Sequence, residues 1–227
     1  MDYLEKMQEH VGKNVDSLTY MGIENKKPKS FKISPLVDIN WKEILADPPS
    51  NTSATTKHEL EYLQEVTKKA GYDLRMQQSF IKMVDEEGGD PLFKKVLSNR
   101  PFPQKEIDKL WGIVENVIQM LKYKYDRPRP YQLAPLMGYD LKVIYTDTHL
   151  TPAYPSGHTA YGAIATYYLA ALYPELSSEL FKIPGQIGLA RCMQGVHYPS
   201  DNEASMVIVG AIWENIRYKL YPNLIGV

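Results

Sequence analysis

The chain of 227 residues is poor in several things, and each shortage excludes a class of protein. It holds one cysteine, Cys192, so no disulfide framework can form within the chain and oxidising export is not required for folding. Phenylalanine is scarce at 5 while tyrosine reaches 17, so aromatic packing falls mainly to side chains with a polar tip. Neither sign of charge dominates: 26 Lys+Arg against 27 Asp+Glu leave a formal net charge of −1, which provides no basic field for nucleic acid. No run reads as a transmembrane span. The longest stretch without Asp, Glu, Lys or Arg, Thr148 to Pro174, is interrupted by histidines, prolines and hydroxyl residues, and reads as a loop followed by a core helix. The opening MDYLEKMQEH lacks the apolar core of a secretory signal, so the expected state is soluble, cytoplasmic as written and periplasmic if a leader was removed. There is no repeat and no low-complexity segment.

What remains is an ordinary globular balance, 44% hydrophobic and 23% charged, enough for one well-filled core. Residues 1–45 read as an N-terminal arm of unassigned role: a short helix over Asp2 to Val11, a basic patch over Lys26 to Lys32, and Trp41 docking the arm on the body. The turn-rich Pro48 to Ser53 leads into the helical part, 46–227. Apolar spacing predicts helices from about Thr55 to Gly71, from Asp73 to Glu87, and from Pro91 to Leu97. The clearest amphipathic helix is Gln104 to Tyr123, with Ile107, Leu110, Trp111, Val114, Ile118 and Leu121 on one stripe. Leu141 to Thr146 could form a short strand. Helices follow over His158 to Tyr173, Gly185 to Gln194 and Asp201 to Leu220. The pattern is that of an all-α, single-domain bundle of about six to eight helices.

The chemistry centres on Pro155-Ser156-Gly157-His158. Proline and glycine set a tight turn at the N-terminus of an apolar helix, where unpaired N–H groups and the positive end of the helix dipole favour an anion. Ser156 and His158 add a hydroxyl and an imidazole to that turn. Three cations stand at helix ends or adjoining turns: Lys122, Arg129 and Arg191. His197 follows Arg191 by six residues, and Asp201 stands four beyond, at the start of the last helix. A carboxylate there can cap the helix and also orient an imidazole, making the far ring nitrogen the better nucleophile. The turn is read as a phosphate site.

Lys122-x6-Arg129-Pro130, Pro155-Ser156-Gly157-His158 and Arg191-x5-His197-x3-Asp201 together resemble the three-part motif of the type 2 phosphatidic acid phosphatase and vanadium haloperoxidase superfamily. Ten defined positions match in order. The other Arg-Pro pair, Arg127-Pro128, is out of register, with Met120 at the lysine position. Within the superfamily the chain is most similar to the soluble class A bacterial acid phosphatases, over roughly residues 45 to 220. Two features depart from that pattern: Ala190 stands where a serine usually precedes the third-motif arginine, and those phosphatases are exported.

The resemblance implies an acid phosphatase acting on water-soluble phosphate monoesters, with 46–227 as its helical phosphatase domain and an assembly of two or more copies. It implies that Lys122, Arg129, Arg191, Ser156 and the Gly157 N–H bind phosphate. His197 becomes the phosphohistidine, Asp201 orients it, and His158 serves as general acid and base. No metal or other cofactor is implied, because three cations offset the dianion. That division of labour asks for a neutral His197 beside a charged His158, hence a bell-shaped pH profile with an acid optimum. The second reading of the same residues is a vanadium-dependent haloperoxidase holding vanadate through His197, which the short chain disfavours. A third, a non-catalytic anion-binding protein, is disfavoured by the intact nucleophile, acid and cations. Of the remaining candidates, His149, Tyr131 and Tyr154 are read either as pocket shapers or as plain packing, His10 and His58 as surface, and Cys192 as a packed thiol.

Overall fold

A computed structural model describes residues 14–20, 30–72 and 76–224. Seven helices of eight or more residues form the body: α1 (Ala54–Tyr72), α2 (Met76–Glu87), α3 (Asp90–Leu97), α4 (Gln104–Tyr125), α5 (Gly157–Leu172), α6 (Ile183–Met193) and α7 (Pro199–Leu220). One-turn helices lie at Trp41–Ile44, Pro130–Leu133 and Ser177–Leu180. The all-α expectation holds, and no strand occurs among the described residues. Residues 141–146 form no strand; Ile144 N–H donates to the Gln194 carbonyl at 3.1 Å and ties the segment to the end of α6 instead. The expected helix at Asp2 to Val11 and most of the basic patch lie outside the described residues.

The centre is α5. Thr159, Ala160, Ala163, Ile164, Thr166, Leu169 and Ala170 are all buried, covering more than one face, because α4, α6 and α7 pack around it. Small residues permit that closeness. A Cβ on Gly162 would stand 2.5 Å from Ile187 Cδ1 of α6, so the end of that side chain sits where any larger residue would put its Cβ. The stripe of α4 buries Ile107, Leu110, Val114, Val117, Ile118 and Leu121 against this centre. Each such side chain contributes about 1.5–3 kcal/mol of transfer free energy. Trp41 packs against the same core, as expected for a residue that docks the arm. Leu18 and Tyr20 are also buried, Leu18 beside Leu60 and Leu63 of α1, so residues 14–20 belong to the body.

Helix ends aim the functional side chains. α4 stops at Asp126, which adopts the left-handed conformation (φ 51°) and donates its N–H to the Lys122 carbonyl at 2.8 Å. The chain then turns inward through Arg127-Pro128-Arg129-Pro130. α6 ends in a turn at Gly195, whose φ of 81° suits a residue without Cβ, and this returns the chain to His197 directly below α7.

Candidate active site

Lys122, Arg129, Gly157, His158 and His197 line one cavity of about 610 Å³. Its outer wall carries Trp111 and Tyr161, set edge to face with centroids 5.6 Å apart, together with Glu87, Asp90 and Asp108. Five of the sequence-predicted site residues thus meet at one opening. Ser156, Arg191 and Asp201 sit one layer behind it.

His197 is the best-defined member. Its Nδ1 lies 3.0 Å from Asp201 Oδ2, and its Nε2 lies 2.9 Å from Arg129 Nη1. A guanidinium can only donate and a carboxylate can only accept, so the ring keeps its proton on Nδ1 and its lone pair on Nε2. Burial, then Arg129, Lys122 and Arg191, hold this imidazole well below its ordinary pKa, so it is neutral. Asp201 is the third residue of α7 rather than its cap. Its Oδ2 also accepts the Tyr198 N–H at 2.9 Å, so one carboxylate both orients the histidine and satisfies the helix start.

The cations are buried, and Lys122 and Arg129 form no ion pair among the described residues. Lys122 Nζ donates to the Pro152 carbonyl at 2.6 Å, and Arg129 donates to the carbonyls of Thr151 and Val196 at 2.8 Å each. Burial and the adjacent Arg129 push the Lys122 ammonium well below its ordinary value, and burial lowers Arg129 as well. Arg191 differs. Its Nη1 is bonded to Asp85, its Nη2 donates to Thr148 Oγ1 at 3.1 Å, and its Nε has no partner among the described residues. Burial pushes Arg191 down to about 10 despite that carboxylate. Asp85 also accepts from Thr148 and, at 3.1 Å, from Thr146.

Two expectations need correction. The Ser156 hydroxyl is fully buried and donates to Thr159 Oγ1 at 3.1 Å, within a chain that continues to Asn202; it points away from the cavity. His158 is not charged in the free site. Burial and the Arg191 guanidinium push it down to about 3, while Nε2–H holds the Asp85 carbonyl at 3.3 Å. Both imidazoles are therefore neutral in this structure.

Other candidates take the plainer role. Tyr154 packs edge-on to Tyr125 and donates to the Ala46 carbonyl at 2.8 Å; Tyr131 meets Tyr145 and His149 edge to face, and none of these three rings lines the cavity. His58 is exposed beside Glu61, and His10 lies outside the described residues. Cys192 is a buried thiol raised by burial, against Asn202. Ala190 is fully buried on α6.

Residues that reasoning from sequence missed include Asp85, hidden in an Asp-Glu-Glu run that resembles a solvated face, and Arg127, set aside for register. A signal for Arg127 existed. A residue before proline is held extended, and in extended chain i and i+2 face the same way, so Arg127 and Arg129 turn inward together. No three His, Cys, Asp or Glu side chains gather as a metal-binding group among the described residues; what the cavity offers is a place for an oxyanion. No described helix is long and apolar enough to cross a membrane.

Comparison with known proteins agrees with this geometry. A family model described as the PAP2 superfamily matches residues 111–225. A non-specific acid phosphatase of Salmonella typhimurium is 25% identical over 197 residues, covering 79% of this chain and 74% of that protein. One from Salmonella typhi is 26% identical over 190 residues with the same coverage. Among solved structures, a bacterial vanadium-dependent iodoperoxidase shares the fold with a TM-score of 0.55 at 14% identity, over 75% of this chain; the chain spans about half (52%) of that structure's length.

Proposed function

The chain belongs to the PAP2 superfamily, and from that premise we propose that it is an acid phosphatase that hydrolyses water-soluble phosphate monoesters through a phosphohistidine on His197, without a metal. The observation that carries this reading is the cavity itself, where buried cations with depressed pKa values surround a neutral imidazole whose lone pair is already on Nε2. Empty of anion, such a cluster is electrostatically frustrated; a phosphate dianion relieves it. The unpartnered Arg191 Nε is a further donor that a phosphate oxygen would satisfy. The relatives named as acid phosphatases support the same reaction class.

In this reading the phosphoryl oxygens lie against Lys122, Arg129 and the Gly157 N–H, with Arg191 behind, so donors fixed in place meet the charge as it spreads in the transition state. His197 Nε2 attacks phosphorus and the ester P–O bond breaks. The leaving oxygen takes a proton from His158, through Nδ1, the nitrogen that Asp85 does not hold. Because the free ring is neutral, the substrate binds as the monoanion and gives its proton to His158, which leaves the ester dianion beside an imidazolium. Water then attacks the phosphohistidine, gives its proton to His158, and frees phosphate and His197.

The test is turnover of p-nitrophenyl phosphate with and without vanadate and EDTA, combined with alkaline-quench trapping of the enzyme. Vanadate inhibition, indifference to EDTA, and a base-stable phosphoenzyme absent from His197→Ala are expected. Wild-type turnover in His197→Ala would refute the assignment.

A further inference from the structure

Behind the nucleophile lies a second buried charge system that the reaction scheme does not use. Arg127 is 3% exposed. Its Nη1 donates to Asp201 Oδ1 at 2.7 Å and to Ser200 Oγ at 2.8 Å, and its Nη2 donates to Glu59 Oε2 at 3.1 Å. The guanidinium lies over the Tyr198 ring, 3.8 Å from its centroid. Glu59, on α1, turns its other oxygen to the Ser200 N–H at 2.7 Å, so it holds both Arg127 and the first turn of α7. The result is one chain of contacts, Glu59 to Arg127 to Asp201 to His197, joining α1, the proline-rich segment after α4, and the start of α7.

We propose that Arg127 is a positioning residue for the nucleophile: anchored by Glu59 and seated on Tyr198, it occupies the outer oxygen of Asp201 so that the inner oxygen orients His197 without drawing a second proton onto the ring. The need for such a residue follows from the charges around His197. Arg129 and Lys122 from the segment around the end of α4, Arg191 from α6 and His158 from α5 all oppose protonation of the ring. Among the described residues, Asp201 is the carboxylate that pairs with the ring and favours it. A bare buried carboxylate at 3.0 Å would stabilise the imidazolium, which has no lone pair for phosphorus. Arg127 shares that charge at 2.7 Å. Burial opposes the Arg127 charge, yet Asp201, Tyr198 and Glu59 together hold it above its ordinary value, so it stays a cation throughout. The second contact, to Glu59, prevents the guanidinium from swinging toward the cavity to join the phosphate-binding cations.

The inference rests on the phosphohistidine reading for the importance of the Nε2 lone pair, but its test does not need turnover. The state of the His197 ring is followed by NMR from pH 5 to 8 in the full chain, with the resonance assigned by its loss in His197→Gln. In the native protein the ring stays neutral across that range. In Arg127→Met, with Asp201 left unshared, the titration, carried below pH 5 for as long as both chains stay folded, shows a midpoint about one pH unit or more above the native one. A folded Arg127→Met whose ring remains as neutral as the native one overturns the proposal. Should that variant not fold, Arg127→Lys and Glu59→Gln decide. Lysine is a point charge that cannot bridge both carboxylates, whereas Glu59→Gln keeps the guanidinium on Asp201. The midpoint must lie higher in Arg127→Lys than in Glu59→Gln; equal midpoints overturn the proposal. Failure of the phosphatase reading appears separately, as absence of hydrolysis by the native chain.

Discussion

Replacing Asp201 by asparagine keeps the shape of the side chain and removes one acceptor from a buried network that uses two. Oδ2 accepts from His197 Nδ1 and Tyr198 N–H at 3.0 and 2.9 Å, and Oδ1 accepts from Arg127 at 2.7 Å. Asparagine has one oxygen. Turned toward His197 and Tyr198, it sets its NH2 against a buried guanidinium. Turned toward Arg127, it sets the NH2 against the Tyr198 N–H and the histidine. The ring then accepts at Nδ1 and moves its proton to Nε2, where Arg129 already donates from 2.9 Å. The first arrangement sets a donor against the charged Arg127 and the second sets one against the charged Arg129, so both cost stability; in the second the nucleophile holds its proton on the wrong nitrogen. In a serine protease triad the equivalent Asp→Asn change costs about 10⁴ in kcat by that route. Here a fall of about 10³–10⁴ is expected. Breaking one partner of a buried pair costs about 3–5 kcal/mol. A loss of ~3 kcal/mol lowers Tm by about 6–12 °C for a domain of this size. Steady-state turnover of p-nitrophenyl phosphate and thermal melts measure the two effects. A variant that melts lower but keeps kcat within tenfold of the native value would show that tautomer control by Asp201 is not what makes His197 competent.

Two further outcomes follow from the geometry. His197 and His158 are both depressed below their unfolded value near 6.5, so the unfolded chain binds protons first as pH falls, and stability is lost from about pH 6.5 downward at up to about 1.4 kcal/mol per unit for each ring. Urea melts at pH 7 and pH 5 measure this, and equal stabilities would contradict neutral imidazoles in the free site. Gly162→Ala drives a Cβ into Ile187 Cδ1 and should cost about 1–3 kcal/mol in urea unfolding. Adding Ile187→Val, which removes that δ-methyl, should recover part of the loss; no recovery would place the strain elsewhere.

Much of this could be read from order along the chain, because local physics is periodic. The stripe from Ile107 to Leu121 announced α4, and the observed helix runs two residues past the expected end at Tyr123, where Asp126 rather than a proline terminates it. Pro155 to His158 announced a helix start, expected from His158, and the structure begins it one residue earlier, at Gly157. Lys122, Arg129, His158 and His197 announced a shared site through the resemblance of their motifs to the three-part pattern of the superfamily. Distance in space has no such signature. Glu59 and Asp85 lie on α1 and α2, far from any motif, and only the packing of those helices against α6 and the start of α7 brings their carboxylates to Arg127 and Arg191.

Residue type and spacing alone determined which groups could do the chemistry: two imidazoles, three cations, one carboxylate and a helix start for an anion. The tertiary structure decided their states. Whether Ser156 faces the cavity or Thr159, whether His158 is charged, and whether Arg127 is a bystander or a clamp depend on burial and on neighbours supplied by other helices. Protonation and hydrogen-bond direction are set by the local field and by desolvation, and both are properties of the packed interior.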